Sequence, residues 1–433
     1  MSRHTVVIND CATPARPAIR HVRSRDTPHG SKNFTLRIDE LVKGLPAQLD
    51  ATQQDWIEIL GHLFAIDMAC PRGEGDVDWS RSIEAWMPVR DPAFWQNHRV
   101  ELEGIWTDLT DDELRLHFEL DSSPAAAPRM GQTPFTEHDC VALVSGGQDS
   151  FAGVLDLLDT GRKPLMLSHS ASGAVNHAQN AVEAIVAGID PSIARLKLGA
   201  LKTPGRDFPG SESSQRSRTL LFVGAAALVA ALAGSDEVVL NENGIMAVHV
   251  PLTPARVGSL STHTASPPIV ARMAALASAV LGRPVAVVNR LVHLTKPEVV
   301  GRAVALGHGA DMVQTVSCWQ IGRTQRHCGI CAPCLLRRIS CETHGVADVA
   351  YDHDVFDDHT AIDDDKARDN LTHFMSLVED LSELDDVTME IDYPELINGA
   401  PAMTLRQTID LHRRWASEAS AVLFSHPVPT GLR

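Results

Sequence analysis

The chain has 433 residues, 44% hydrophobic and 21% charged, which is ordinary for a globular protein and long enough for two or three domains. Its 55 acidic against 38 basic side chains give a formal net charge of −17, which disfavours broad nucleic-acid binding unless basic groups gather locally. No apolar run is long enough to span a bilayer, and the polar N-terminus lacks the apolar core of a secretory signal, so no membrane partner and a cytoplasmic location are expected.

Residues 1–137 read as an N-terminal α+β accessory domain, with short alternating segments such as TVVIND and LRLHFEL between Pro and Gly breaks. In ATQQDWIEILGHLFAIDMAC, Trp56, Ile59, Leu60, Leu63 and Phe64 recur at helical spacing and are expected in the core. Arg72, Asp78, Trp79, Arg81, Arg90 and Trp95 cluster in the next stretch; a salt-bridged turn region is preferred there over a recognition surface. The Pro/Ala/Ser-rich segment 121–134 reads as a linker.

From 138 to 350 short apolar runs alternate with amphipathic stretches, the pattern of βα repeats on a parallel sheet. Strands are expected at VALV from 141, PLML from 164, ARLKL from 194, EVVL from 237 and VAVV from 285. Helices are expected near 151–159, 176–187, 214–233, 268–281 and 296–306, with any ligand at the carboxyl ends of the strands.

The first of these strands breaks into Ser145-Gly146-Gly147-Gln148-Asp149-Ser150 and then a helix. Two glycines let the backbone turn and bring N–H groups close to a phosphate, which a helix N-terminus also attracts. Asp149 would repel a bare phosphate, so its economical role is to hold a Mg²⁺ ion that bridges to phosphate oxygens, which points to Mg-nucleotide. The same six residues also read as a glycine turn capped by Ser or Asp. Arg216, Arg218, Lys296, Arg302, Arg323, Arg326, Arg337 and Arg338 follow; most of them are expected to be solvated, and a few would serve a buried anion.

Further on, Cys318-x9-Cys328-x2-Cys331-x2-Cys334 has the spacing of a tetrahedral zinc site with no open position, hence a structural one, with Gly329 permitting the tight knuckle. An iron–sulfur cluster and a redox CxxC pair are the alternatives, and His327 and Cys341 are spare ligands. Cys11, Cys70 and Cys140 stand apart. Residues 351–433 read as an acidic, helical C-terminal region with no assigned chemistry.

Taken in order, SGGQDS after a strand and the four-cysteine knuckle resemble QueC, the 7-cyano-7-deazaguanine synthase family. LTKPEVV at 294–300 is similar to the family's Leu-Ser-Lys-Ala-Glu segment and places Lys296 on its lysine; SQRSRTLLFVGAA at 214–226 resembles its Gly-Arg-Asn-Thr helix start, with Arg218 and Thr219 the nearest equivalents. The resemblance implies a Rossmann-like, HUP-like fold of the N-type ATP pyrophosphatases (PP-loop) over 138–350. It also implies a ligase that adenylates a 7-deazaguanine carboxylate with ATP, releases pyrophosphate and lets an amine displace AMP. Asp149 with Mg²⁺, Arg218 and Lys296 would be its catalytic residues, Ser145 to Ser150 its nucleotide loop, and zinc its structural metal.

Two segments depart from the family: HSASGAVNHAQNAV at 169–182 and NENGIMAVHVPLTPARVGSLSTHT at 241–264. The extended layout resembles the QueC-like proteins of bacterial antiphage operons, QatC of the Qat system and the QueC-like component of type IV CBASS. That resemblance implies joining the deazaguanine acid to the N-terminal amine of a partner protein from the same operon. The alternatives are the free nitrile made from ammonia, a tRNA-modifying ATP pyrophosphatase, and a non-catalytic nucleotide-binding scaffold.

Overall fold

Apolar runs in this chain become two sheets, one mostly parallel and one wholly so. The computed structural model describes all residues except 1, 13–17, 39–40, 42–48, 74–78, 124–136, 171, 213, 215, 254–262, 357–364 and 427–433. Asp78, most of the linker expected at 121–134, and part of the acidic stretch after 351 therefore lie outside the described residues.

The N-terminal region supplies β1 (Ser2–Ile8), β2 (Ile19–Val22), β3 (Phe34–Arg37), α1 (Ala51–Ala69), β4 (Arg81–Val89), α2 (Pro92–Thr110) and β5 (Glu113–Leu120). Four of these strands form a sheet in the order β2-β1-β4-β5, every pairing parallel, with Ser2 beside Arg81 and Ser82 beside Glu113. Asp50 and Gln53 form a capping box that starts α1, and Trp56, Ile59, Leu60, Leu63 and Phe64 are all buried, as their spacing requires.

The second sheet uses β6 (Cys140–Leu143), β7 (Pro164–His169), β8 (Arg195–Lys202), β9 (Glu237–Leu240) and β10 (Ala286–Asn289). Among them run α3 (Gln148–Asp159), α4 (Gly173–Ile189), α5 (Arg218–Ala233), α6 (Gly244–Val248), α7 (Pro267–Leu281) and α8 (Lys296–Ala305). Every expected strand and helix of this region is present, with boundaries shifted by a few residues. The sheet order is β10-β9-β6-β7-β8-β3. All pairings are parallel except that of β3, which runs antiparallel to β8 with Phe34 opposite Lys202. From β6 the chain builds outward through β7 and β8, then returns to lay β9 on the other flank of β6. That reversal opens a crevice at the carboxyl ends of β6 and β9, where ligands of such sheets bind.

The two sheets share one apolar core, which contains residues of β1, α1, α2, β7, β8, α5 and α7. Trp56 donates its indole N–H to the Gly224 carbonyl at 2.9 Å, and a Cβ at Gly224 would stand 2.3 Å from Leu60 Cδ1, so α1 lies hard against α5. The charged cluster anticipated as a salt-bridged turn is one: Arg81 pairs with Asp67 at 2.7 Å and with Asp112 at 2.5 Å, and Arg72 pairs with Asp112 at 2.8 Å. Arg90 and Trp95 both bond Asp55. A second core joins the cysteine cluster to α9 (Ile321–Thr324), α10 (Ala332–Thr343), α11 (Asp365–Glu383), α12 (Asp386–Asp392) and α13 (Leu405–Leu423), with Phe374 edge-on to Trp415 at 5.4 Å.

Candidate functional site

At the end of β6, Gly146 takes φ +83°, and a Cβ there would come within 3.1 Å of the Gln179 backbone nitrogen, so only glycine fits without strain. Gly147 then caps α3 without any side-chain hydrogen bond, which leaves the positive end of that helix to meet an anion. Ser145 Oγ accepts from the Gly147 N–H at 3.3 Å. Ser150 is turned back onto the loop, donating to the Gly147 carbonyl at 3.0 Å, so it braces the turn.

Asp149 is buried in the first turn of α3 and both its oxygens are engaged. Lys296 Nζ donates to Oδ1 at 2.8 Å and Asn243 Nδ2 to Oδ2 at 2.9 Å. Local sequence sets both partners: Thr295 and Glu298 form a capping box that puts Lys296 in the first turn of α8. Asn243 caps α6 through its Oδ1, accepting from the Met246 N–H at 3.1 Å, which leaves its amide nitrogen for Asp149.

These groups meet at a cavity of about 150 Å³ in the crevice between β6 and β9. Its polar side is Ser145, Gly147, Gln148, Asp149, Lys296 and the Asn241-Glu242-Asn243 tripeptide; its apolar side is Met246, Val316, Trp319, Pro333 and Leu336, with Ser317 between. Of the residues expected to act together, Ser145, Gly147, Gln148, Asp149 and Lys296 line this cavity, and Gly146 and Ser150 shape the turn beneath it. Arg218 does not line it: it stands exposed at the start of α5, its guanidinium 5.9 Å from the Phe222 ring centroid. Thr219 beside it is buried. Most of the other basic groups have local partners, Arg302 with Asp156, Arg326 with Asp352, Arg337 with Asp348, Arg338 with Asp354 and Arg216 with Asp111.

Asn241, Glu242 and Asn243 were marked in the sequence only as the start of a segment that departs from the family, and Trp319 was not singled out. The available signal was position: three polar residues directly after the apolar run EVVL stand where a strand's carboxyl end faces a ligand.

The four cysteines converge as their spacing requires. Cys318, Cys328, Cys331 and Cys334 are buried, their sulfurs all lie within 4.8 Å of one another, and Cys328 and Cys334 are 3.9 Å apart. Tetrahedral zinc with bonds of about 2.3 Å separates its sulfurs by about 3.8 Å, so the cluster suits a zinc knuckle. Backbone N–H groups of Gln320 and Cys328 donate to Cys318 Sγ at 3.3 and 3.4 Å, as they would to a thiolate. His327 is occupied elsewhere, accepting from the Ser317 N–H at 3.1 Å, and burial holds it down at about 4. Cys341 accepts from Gln148 Nε2 at 3.2 Å, and burial pushes it up to about 11.

Next to the cluster, Arg337 of α10 bonds the Asp348 carboxylate, the Thr315 carbonyl and hydroxyl, and the Met312 carbonyl. The strap so held delivers the Val316 N–H to the Gly146 carbonyl at 2.9 Å. The cysteine cluster is thereby tied to the glycine turn.

For Mg²⁺, the donor set fits an ion held chiefly by phosphates: at the glycine turn it offers the carboxylate of Asp149, and each of its oxygens accepts one hydrogen bond and keeps further lone-pair capacity.

The QueC family model, described as Queuosine biosynthesis protein QueC, matches residues 266–345, a span that contains Lys296 and all four cluster cysteines. The 7-cyano-7-deazaguanine synthase of Azoarcus sp. (strain BH72) is 29% identical over 226 residues, which cover 48% of this chain and 94% of that protein. The synthase of the same name from Acinetobacter baylyi is 31% identical over 181 residues, 40% of this chain and 73% of the relative. In Thiobacillus denitrificans a 58-residue stretch, 13% of this chain and 25% of the relative, reaches 47% identity. With the glycine turn, the lysine of α8 and the cysteine knuckle in place on a parallel α/β sheet, the chain belongs to the QueC family.

Proposed function

We propose that this protein uses ATP to activate the carboxylate of a 7-deazaguanine acid and transfers the acyl group to an amine. The observation that carries this reading is the buried Asp149–Lys296 pair beside an uncapped helix start, in the crevice between β6 and β9. A substrate carboxylate oxygen attacks the α-phosphorus, the bond to the bridging oxygen breaks, and pyrophosphate leaves. The amine nitrogen then attacks the acyl carbon, the bond to AMP breaks, and the nitrogen gives up a proton to solvent. N–H groups of the turn and of α3 hold phosphate oxygens, and Lys296 offsets charge at the α-phosphate or the acid. Mg²⁺ held by Asp149 would neutralise polyphosphate charge. Arg218, from the start of α5, would meet only a ligand that extends beyond the cavity.

The finer reading is that the amine is the N-terminus of a partner protein and that the protein serves antiphage defence in the cytoplasm. Its support is mass: the Azoarcus relative matches 48% of this chain, leaving about half to position a polypeptide. The activity named for the relatives, 7-cyano-7-deazaguanine synthase, favours a second reading, release of a free nitrile from ammonia.

Two measurements test this. Pyrophosphate release should require both ATP and a deazaguanine carboxylate, and Asp149→Asn should abolish it while the protein keeps its fold; release that ignores the acid would refute the reading. Intact mass of proteins co-expressed from the same operon should rise by the acyl group, whereas a free nitrile with no protein adduct would decide for the second reading.

A further inference from the structure

The apolar side of the cavity has no part in holding phosphates. Trp319, the residue after Cys318, keeps 51% of its surface exposed although it lines the cavity, and Met246, Pro333 and Leu336 continue the same wall. Glu242 belongs to the lining as well, and its main chain is clamped: its N–H donates to Asn289 Oδ1 at 3.2 Å and its carbonyl accepts from Asn289 Nδ2 at 2.9 Å. A tryptophan and a glutamate on a fixed backbone thus border one space, a few residues from the polyphosphate side.

Resting on the reading above and deepening it, we propose that Trp319 and Glu242 form the subsite for the heterocycle of the acid substrate. The indole supplies a face on which a flat bicyclic ring stacks. The carboxylate supplies two acceptors side by side. A 2-amino-pyrimidinone edge, as in guanine and 7-deazaguanine, presents two adjacent donors, the ring N–H and the exocyclic amine, so the two match in pairs. An adenine-type edge puts an acceptor at the matching ring nitrogen and is turned away. The subsite therefore takes the acid and refuses the base of ATP, which keeps the two substrates in register across the cavity.

The test is equilibrium binding to the full chain, by calorimetry in the presence of a non-hydrolysable ATP analogue. The probes are 7-carboxy-7-deazaguanine and its analogue lacking the 2-amino group. The wild type should prefer the amino compound by roughly 10- to 100-fold, the worth of one hydrogen bond to a charged group. Glu242→Gln should lose about that much affinity for the amino compound and nearly all of the preference. Trp319→Phe should keep most of the affinity, while Trp319→Ala should lose roughly 10-fold. Zinc content and Tm report whether each variant is folded. If one variant does not fold, the wild-type comparison still tests the preference for the amino group, because it alters the ligand and not the protein, and the other variant tests the wall.

A wild type that binds both compounds equally, or a folded Glu242→Gln protein that keeps the wild-type preference, overturns the subsite and leaves the proposed function standing. A wild type that binds the ATP analogue but neither acid overturns both.

Discussion

Asp149 is the residue on which the chemistry turns, and its surroundings make a prediction about energy as well as activity. Lys296 and Asp149 are both largely shielded from solvent, so removing one leaves the other's charge without its partner. Lys296→Met should lower stability by roughly 2–4 kcal/mol, a little under the usual cost of breaking a buried pair because the cavity admits water. Asp149→Asn with Lys296→Met should regain most of that stability without regaining activity. Denaturant midpoints for the single and double variants measure it, and additive losses would show that the pair does not act as a unit. The glycine turn, Asp149 and Lys296 were legible because each falls in a short local pattern. Asn243 was not, since a lone Asn gains meaning only when a long-range fold sets it opposite a carboxylate.

Among elements, the strap from Met312 to Ser317 links metal and turn. It is held by Arg337, which follows the last cluster cysteine on α10, and it bonds Gly146 in turn. Stripping the metal with a chelator, or replacing Cys334 with Ser, should release the strap and weaken nucleotide binding at a site that holds no cysteine ligand. Structural zinc contributes apparent binding free energies of roughly 10–16 kcal/mol, so the loss should also appear as a large fall in Tm. Arg337→Met separates the effects: zinc should stay near one equivalent while ATP-analogue affinity falls about 10-fold, the worth of one charge-assisted contact. Full affinity in that variant would show that the strap is set by other contacts. The cysteine spacing predicted the knuckle from sequence. The strap was illegible, because its hold comes from one arginine reaching two backbone carbonyls that carry no sequence mark.

At the scale of the whole molecule, the alternation of apolar runs made the parallel sheet readable between residues 138 and 350. The join to the N-terminal region was not, because β3 is four residues long and its pairing with β8 is remote in sequence. The buried histidines give the molecule a pH response. Burial holds His62 at about 3 and His412 at about 4, below the ordinary 6.5, so the folded chain refuses protons that the unfolded chain accepts. Their contribution is complete above about pH 6.5 and is lost as pH falls toward 4, on the order of 1.4 kcal/mol per pH unit for each ring. Tm should therefore fall steeply across that window, and replacing His412 by Leu should flatten the slope; an unchanged slope would show that other groups govern it. The edge strand also sets an order of events during synthesis. Phe34 leaves the ribosome well before its partner Lys202, and at ~5–20 residues per second the delay is about 10–30 seconds. Through that interval the nascent chain carries an unsatisfied strand edge, which invites pairing with other chains. Slowed translation between the two segments should therefore lower the yield of soluble product.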